Sequence, residues 1–390
     1  MRNDRIKGAV IVFSSLILAC IGPDMSSARA EFAGGSGVAD DPYLVATAGQ
    51  LDNVRHHMDA HFRQTGDIDL TDYAQGRGWL PIGSRPGRDE RFEGTYDGAG
   101  CSIVNLTIRR PEGYYVGLFS GLGSDAAVSG LSLKNVQIAG QEGVGALAGI
   151  NAGVVTGCHV EGEIAGEVVV GGLAGINQGD VRQVSFSGIV SGGMATGGLA
   201  GASSGSVEGG RVVAEIKGGD VDSGGIAGSN SGEIRYSSAE IEVAGKANVG
   251  GIAGNNTGTI INSHVLGTVS GEDRVGGAAG TSTGRILHSY SAAAVQGESR
   301  TGGLVGKAEI VVNRFSVGGE VAGSYYDSEV AGDGNNGYGE ARTTGEMMRK
   351  ETFDAWDFER VWAIDEGESY PLLIRQAAAE TEPGRGDEGE

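Results

Sequence analysis

The stretch that decides the fold is Gly171-Gly172-Leu173-Ala174-Gly175, which recurs along the chain at a nearly constant spacing. Aligned on the last glycine of this core, successive copies are 26 residues apart, except for one interval of 28 and one of 27. The eight anchor glycines are Gly121, Gly149, Gly175, Gly201, Gly228, Gly254, Gly280 and Gly306. Such a period indicates a repeat protein, in which each unit buries its apolar face by stacking on its neighbours.

Three apolar positions recur in every repeat and predict which side chains are buried. Two residues before the anchor come Leu147, Leu173, Leu199, Ile226, Ile252, Ala278 and Leu304. Six after it come Val155, Val181, Val207, Ile234, Ile260, Ile286 and Val312. Fifteen after it come Ile164, Val190, Ile216, Val243, Val269, Val295 and Val321. The separations of 8, 9 and 9 residues divide each coil into three sides of nearly equal length. We therefore predict an all-β fold, a right-handed parallel β-helix (β-solenoid) with three-sided coils of about 26 residues.

Asparagine and glycine recur at the predicted corners of the coil. Two residues after the anchor come Asn151, Asn177, Ser203, Asn230, Asn256 and Ser282. Four after it come Gly153, Gly179, Gly205, Gly232, Gly258 and Gly284. Both residue types tolerate the backbone of a turn, and identical amide side chains stacked on successive coils can form a hydrogen-bonded ladder.

The outer face of the predicted coils is acidic. In Ala239-Glu240-Ile241-Glu242-Val243, apolar residues alternate with carboxylates, as expected of a half-buried strand. The whole chain has a formal net charge of −21, which disfavours nucleic acid and anionic membranes as partners. Calcium-loop and zinc-site motifs are missing from the sequence, so we predict neither a metal site nor a cofactor.

The N-terminus has the pattern of an export signal. Arg2, Arg5 and Lys7 precede an apolar run of residues 8–21, and Ala28-Arg29-Ala30 fits a cleavage site, so residues 1–30 are predicted to be a signal peptide. A second interpretation remains open, because Leu16-Ile17-Leu18-Ala19-Cys20 resembles a bacterial lipobox. Lipidation at Cys20 would place the protein at the outer membrane or in the periplasm, and a lipid anchor is the only membrane contact we expect.

The repeats resemble the GLUG-motif repeat of bacterial exported proteins. The resemblance lies in the Gly-(Leu/Ile/Ala)-(Ala/Val)-Gly core and in the residues that follow it, which are Asn or Ser, then Gly, then Ile or Val. It covers residues 116 to about 322. The flanks are also similar to those of the family, at Gly34-Gly35-Ser36-Gly37, Asp41-Pro42-Tyr43-Leu44-Val45, Gly78-Trp79-Leu80-Pro81-Ile82-Gly83, Tyr325-Tyr326-Asp327 and Tyr370-Pro371-Leu372. The resemblance implies an adhesin-like β-helix, since members are associated with surface adhesion and with large secreted proteins, some of which carry a peptidase elsewhere in the chain.

The mature chain is predicted to consist of four parts. Residues 31–115 form an N-terminal cap and the first coil or coils, with a helix from the capping box Thr47–Gln50 to about His61. Residues 116–323 form the repeats. Residues 324–376 form a mixed C-terminal cap, in which a second capping box, Thr343–Glu346, precedes the aromatics Trp356, Phe358 and Trp362. Residues 377–390 are an acidic tail, predicted to be disordered.

Histidine and cysteine pairs give weak signals for a site. His57 and His61 are spaced i, i+4 on the predicted capping helix, but the zinc-binding HExxH pattern is absent. His159 and His264 share a repeat column four coils apart, too far for one site. Cys101 and Cys158 fall at different places in the repeat, so we expect two separate small buried residues, although a disulfide remains open.

Glu215 and Glu242 are the candidates for chemistry. They occupy the same outward column on neighbouring coils, and strand spacing places the two residues about 5 Å apart. This separation is compatible with a pair of carboxyl groups that act as general acid and general base on a glycan. Neighbouring columns lack an obvious cluster of Arg, Lys, His or aromatic residues, which favours ordinary surface charge.

The sequence thus favours a secreted or surface-attached, non-catalytic repeat protein that acts in adhesion or as an extracellular scaffold. Its partner would be an unidentified surface ligand, either protein or polysaccharide. Two alternatives stay open: a glycan-active β-helix enzyme, either lyase or hydrolase, and a glycan-binding module.

The anchoring prediction can be checked directly. Because cleavage after Ala30 leaves Glu31 just ahead of the predicted folded region, mass spectrometry of the exported protein should find Glu31 at its N-terminus. A diacylated Cys20 at the N-terminus would instead establish the lipoprotein interpretation.

Overall fold

The computed structural model describes residues 31–85, 88–312, 315–332, 334 and 336–374. The fold below is that of the described residues of the unit Phe32–Glu390, and the chain before it forms a separate unit. The predicted signal peptide with Cys20 and the predicted acidic tail lie outside the described residues.

The second unit is an all-β parallel solenoid of about eight coils. Two of its parallel sheets receive one short strand from each of these coils, and the first sheet has three more strands before the repeats, within residues 31–115. In the described residues the first sheet has eleven strands, Tyr43–Val45, His61–Gln64, Thr95–Asp97, Ala127–Ser129, Val154–Thr156, Asp180–Arg182, Ser206–Glu208, Glu233–Arg235, Thr259–Ile261, Arg285–Leu287 and Glu320–Ala322. The second has eight, Phe119–Leu122, Ala148–Asn151, Ala174–Asn177, Ala200–Ser203, Ala227–Asn230, Ala253–Asn256, Ala279–Ser282 and Val305–Lys307.

The third sheet is wider, because most coils contribute two consecutive strands to it. Its strands are Ile68–Asp69, Ser102–Val104, Thr107–Arg109, Tyr114–Val116, Ser132–Ala139, Glu142–Val144, His159–Ala165, Val168–Gly171, Ser185–Ser191, Met194–Gly197, Arg211–Lys217, Val221–Gly224, Ser238–Ala244, Ala247–Gly250, His264–Gly276, Tyr290–Gly302, Tyr325–Asp327 and Glu340–Arg342. The prediction of three nearly equal sides is therefore wrong for this side. It is longer than the other two because the chain continues past the third apolar column into a second strand.

The remaining described elements are short. The α-helices are α1 (Ala48–Asn53), α2 (Ser328–Ala331) and α3 (Thr344–Met347), and 3-10 turns occupy Val54–His56, Thr71–Tyr73 and Lys350–Thr352. Three antiparallel pairs join Ser84–Arg85 to Arg88–Asp89, Glu309–Val312 to Phe315–Gly318, and Trp362–Ala363 to Leu372–Leu373.

The predicted apolar columns fill the interior of the solenoid. Leu173, Val181 and Val190 are at most 2% exposed and represent the three columns in one coil. Two further inward columns extend this core, one containing Val160 and Phe186 in the first strand that a coil adds to the third sheet, and one containing Val170 in the second strand. The first follows from the predicted alternation of apolar and acidic residues in that strand, whereas the second was not predicted. The anchor glycines belong to this packing, because a Cβ at Gly175 would collide with the backbone of the preceding coil.

The last coil departs from the predicted register. Val321 pairs with Ile286, which places it in the second apolar column rather than the third. The reason is the antiparallel hairpin Glu309–Val312 and Phe315–Gly318, which is inserted into this coil and delays its return to the first sheet. The assignment of Val312 to the second column is therefore wrong.

The N-terminal helix is shorter than predicted. Thr47 caps it as expected, since its hydroxyl accepts the N–H of Gln50, but α1 ends at Asn53 and a 3-10 turn ends at His56. His61 lies in the first sheet and hydrogen-bonds through Nδ1 to the Thr95 hydroxyl at 2.8 Å. His57 packs against the rings of Phe32 and Tyr43, so the two histidines do not share a helix face.

The corner asparagines form a buried ladder along the coils. The Asn151 amide donates to Asn177 Oδ1 at 2.9 Å, and Asn177 donates to the Ser203 hydroxyl at 3.2 Å. A second run begins at Asn230, which donates to Asn256 at 2.8 Å. Between the two runs, the buried Oδ1 of Asn230 accepts no hydrogen bond from the described residues. Ser203 is therefore too short to connect the two halves of the ladder.

Replacing that serine should complete the ladder. In Ser203→Asn, the new amide occupies a column that already holds Asn177 and Asn230 on its two sides, and it can donate to Asn230 Oδ1. We expect the free energy of unfolding to rise by about 1 kcal/mol, measured by urea denaturation. Ser229→Asn, one residue from the ladder, is the matched control and should not stabilise the protein. Equal or lower stability of Ser203→Asn would contradict the argument.

Candidate functional site

The candidate site begins with one outward column of the third sheet. Register pairing aligns the first residues of successive strands, namely His159, Ser185, Arg211, Ser238, His264, Tyr290 and Tyr325. The next residue of each strand points inward, as Phe186 does, so the column belongs to the outer surface of the solenoid. Its members nevertheless become fully buried towards the C-terminal end, where His264 and Tyr290 are 4% and 0% exposed.

The C-terminal segment, residues 344–374, covers that end of the column. Trp356 and Trp362 stack on each other with ring centroids 4.5 Å apart, and both lie against Tyr290. The His264 ring stacks on Tyr290 at 5.1 Å with an interplanar angle of 4°, and Trp362 lies 5.9 Å from it. The late aromatics thus cover the outer face of the last coils, whereas we had predicted that they cover the open end of the solenoid.

Hydrogen bonds fasten this segment to the solenoid. The Tyr290 hydroxyl donates to the carbonyl of Pro371 at 2.8 Å, and the Trp356 indole N–H donates to the carbonyl of Gly323 at 2.8 Å. Asp327 is fully buried, and its Oδ2 accepts the hydroxyls of Thr344 and Tyr370, each at 2.7 Å. The predicted capping box of Thr343 and Glu346 is present at the start of α3.

Where the C-terminal segment ends, an open cavity of about 610 Å³ remains between it and the solenoid. We call this cavity the C-terminal groove. It is lined by His159, Gln183, Val184, Ser185, Gly209, Arg211, Tyr236, Asp357, Arg360, Val361 and Leu373. Its volume falls within the roughly 300–1,000 Å³ that is usual for small-ligand sites.

The groove combines basic, hydroxyl and aromatic groups. The Nδ1 of His159 and the Ser185 hydroxyl are 2.7 Å apart. Arg211 is half-buried on the solenoid side, and Arg360 is exposed on the opposite wall. Tyr236 lies at a coil corner with a left-handed backbone (φ 51°) and packs against the aromatic cluster under the C-terminal segment. These groups can bind a polar ligand that also has an apolar face.

Among the described residues that line the groove, Asp357 is the one carboxylate, and it has a structural role. Asp357 Oδ1 accepts the backbone N–H groups of Glu359 and Arg360 at 3.0 and 2.9 Å, which holds the turn that carries Arg360.

Glu215 and Glu242 lie in adjacent strands and are direct register partners, as the column alignment predicts. They are not among the residues that line the groove. Lys217 Nζ lies 3.1 Å from Glu215 Oε2, so a cation does accompany the pair, contrary to our expectation. Lys217 was missed because it is two residues along the same strand, on the same outward face. The contact makes Glu215 a member of a surface ion pair.

The remaining predicted residues are dispersed. His159 lines the groove and His264 lies under the C-terminal segment, four strands away in the same column, so they do not form one site. Cys101 and Cys158 are both free, and Cys158 is buried as predicted, whereas Cys101 is only partly buried. Among the described residues, no three His, Cys, Asp or Glu side chains are grouped closely enough to hold a metal ion. Within the same residues, no helix has the length and apolarity needed to cross a membrane.

Comparison with known proteins gives partial sequence relatives. No family model matches the chain. A Gly-rich membrane protein of Evansella cellulosilytica is 43% identical over 137 residues, which are 33% of this chain and 16% of the relative. Halomucin of Haloquadratum walsbyi is 35% identical over 128 residues, which are 31% of this chain and 1% of the relative. The chain therefore matches only a small part of these much longer relatives.

Two solved structures are similar at low sequence identity. One, from Bacteroides ovatus and named as an immunoglobulin A1 protease, is 18% identical, with coverage of 88% of this chain and 95% of that chain and a TM-score of 0.47. Another, an IgA1 protease, is 19% identical, with coverage of 72% and 21% and a TM-score of 0.41. Both TM-scores lie below 0.5, so neither likeness bears on the function of this chain.

The buried histidine gives a pH dependence that can be measured. Burial, assisted by the positive charge of Arg211, lowers the pKa of His264 from 6.5 to about 4. The His264 side chain therefore binds a proton below about pH 6.5 in the unfolded chain, but only below about pH 4 in the folded chain. The free energy of unfolding should fall across this window as the pH is lowered, by about 3 kcal/mol in total from this group.

The variant His264→Phe keeps a ring against Tyr290 and Trp362 but cannot titrate. Urea denaturation at several pH values between 7 and 4 should show a shallower loss of stability for His264→Phe than for the unsubstituted protein. An identical dependence on pH in both proteins would contradict the assignment.

Proposed function

We propose that this chain is an extracellular or surface-attached repeat protein that acts without catalysis, in adhesion or as a scaffold. The observation that carries the proposal is the C-terminal groove, a preformed cavity on an otherwise regular solenoid face. A rigid stack of coils holds one wall of the groove, and the fastened C-terminal segment holds the other. Such a surface can bind a ligand with little loss of its own conformational entropy.

The carboxylates support binding rather than cleavage. Hydrolysis of a glycosidic bond ordinarily uses two carboxyl groups that flank the bond. Asp357 in the groove holds the backbone of its own turn, and Glu215 contacts Lys217 and is not among the residues that line the groove. Both side chains therefore already have structural or surface roles.

The location rests on three supports. The N-terminal pattern is that of an exported chain, and the repeats resemble the GLUG motif of exported proteins. The names of the partial relatives, a Gly-rich membrane protein and a halomucin, are compatible with a surface location. A right-handed coil, in keeping with the usual hand of parallel strand crossovers, and a cap over the N-terminal end of the solenoid formed by residues 31–115 belong to the same proposal.

The test of this proposal measures binding of the protein to a surface separately from cleavage of that surface's polymer. Beads coated with purified protein are presented with immobilised bacterial, plant and host polysaccharides and proteins, while soluble products are assayed for new reducing ends and unsaturated sugars. We expect saturable retention on at least one surface and no product. Glu215→Gln and Glu242→Gln should behave like the unsubstituted protein, because neither side chain lines the groove.

Product formation that Glu215→Gln abolishes would replace this proposal with the glycan-active enzyme. Lack of retention on every surface would also overturn it.

A further inference from the structure

We propose that the C-terminal groove binds a carboxylate-bearing glycan, with Arg211 and Arg360 on the carboxylate and Tyr236 against the sugar ring. This inference rests on the proposed binding function and names the class of ligand. It is carried by the local charge, by the hydrogen-bonding groups of the groove and by the pairing of the strands beneath it.

The groove is basic in a strongly acidic protein. Arg211 and Arg360 contribute two positive charges against the one negative charge of Asp357, whereas the whole chain carries −21. Among the described residues, no carboxylate forms an ion pair with the Arg360 side chain. Guanidinium groups bind carboxylates through two parallel hydrogen bonds, which makes a carboxylate the matching ligand group. The net negative charge of the whole chain opposes the binding of long polyanions, so short acidic sugars are the better probes.

The other polar groups match hydroxyls. Gln183, Ser185 and His159 lie along the solenoid wall and together offer both donors and acceptors. His159 and Arg211 are two strands apart in the column, about 10 Å by the usual strand spacing. Tyr236 and Val361 add apolar surface between these polar groups. A sugar unit has hydroxyls at its rim and C–H groups on its faces, and therefore suits this lining.

The sheet beneath the groove argues against an extended peptide as the ligand. Peptides commonly bind by adding a strand to an open sheet edge. The strand Ser185–Ser191, which lies under the groove, pairs with His159–Ala165 on one side and with Arg211–Lys217 on the other. Its backbone groups are already used, so recognition must come from side chains.

The test uses the full chain and titration calorimetry with two defined acidic probes, tri-galacturonate and sialyllactose. The methyl ester of each probe is the neutral counterpart. We expect at least one acid to bind more tightly than its ester and to lose affinity as the salt concentration rises. In Arg360→Gln, affinity for the acid should fall about tenfold or more, while affinity for the ester should not change.

Two further variants locate the effect. Arg360→Lys keeps the charge without the paired donors, so its affinity should lie between those of the unsubstituted protein and Arg360→Gln. Arg300→Gln removes an exposed arginine that pairs with Asp273 outside the groove, and it should bind the acid normally.

Equal binding of acid and ester, no binding of either acid, or full affinity in Arg360→Gln would overturn the inference. Tighter binding of a synthetic peptide with the sequence of residues 376–390 would overturn it in favour of an acidic peptide ligand. Retention on surfaces without binding of any acidic sugar would remove this inference and leave the proposed function standing. Loss of retention on all surfaces would remove both.

Discussion

Parallel pairing of each strand with its equivalent one coil away is the constraint on which the rest of the structure depends. Because the pairs keep the same residue types opposite each other, every side chain is repeated above and below itself. Inward columns become a continuous apolar core, and the buried amides of Asn151 and Asn177 become a ladder. A residue that differs in type from its equivalents in the neighbouring coils therefore changes the local chemistry. A residue of the same type as its equivalents only extends the stack.

The sequence predicts the columns well, since they depend on spacing within one repeat. The prediction of columns fails where a segment does not belong to the repeat. The inserted hairpin at Glu309–Val312 has the same β-branched composition as a coil strand, so Val312 was assigned to a column it does not occupy. The second strand of the third sheet was missed because its inward positions include Thr196 and Ser223, which blur the apolar pattern.

The candidate site could be predicted only in part. His159 and His264 were correctly placed in one column, but nothing in their spacing shows that a segment nearly a hundred residues later covers one and leaves the other open. The signal present in the sequence is a change in the column itself, from His159, Ser185 and Arg211 to the aromatic Tyr290 and Tyr325. Aromatic residues at outward positions indicate a covered face, although not what covers it.

The position of the C-terminal segment after the coils has a consequence for the order in which the protein folds. Coils stack on their predecessors and can form progressively along the chain, whereas Trp356 and Trp362 follow the coils in the sequence. Until then, His264 and Tyr290 form a bare ring stack on the solenoid surface, and the groove has only one wall. The groove is therefore completed only after the coils have stacked, so a chain truncated before Trp356 would retain its coils but lack the groove.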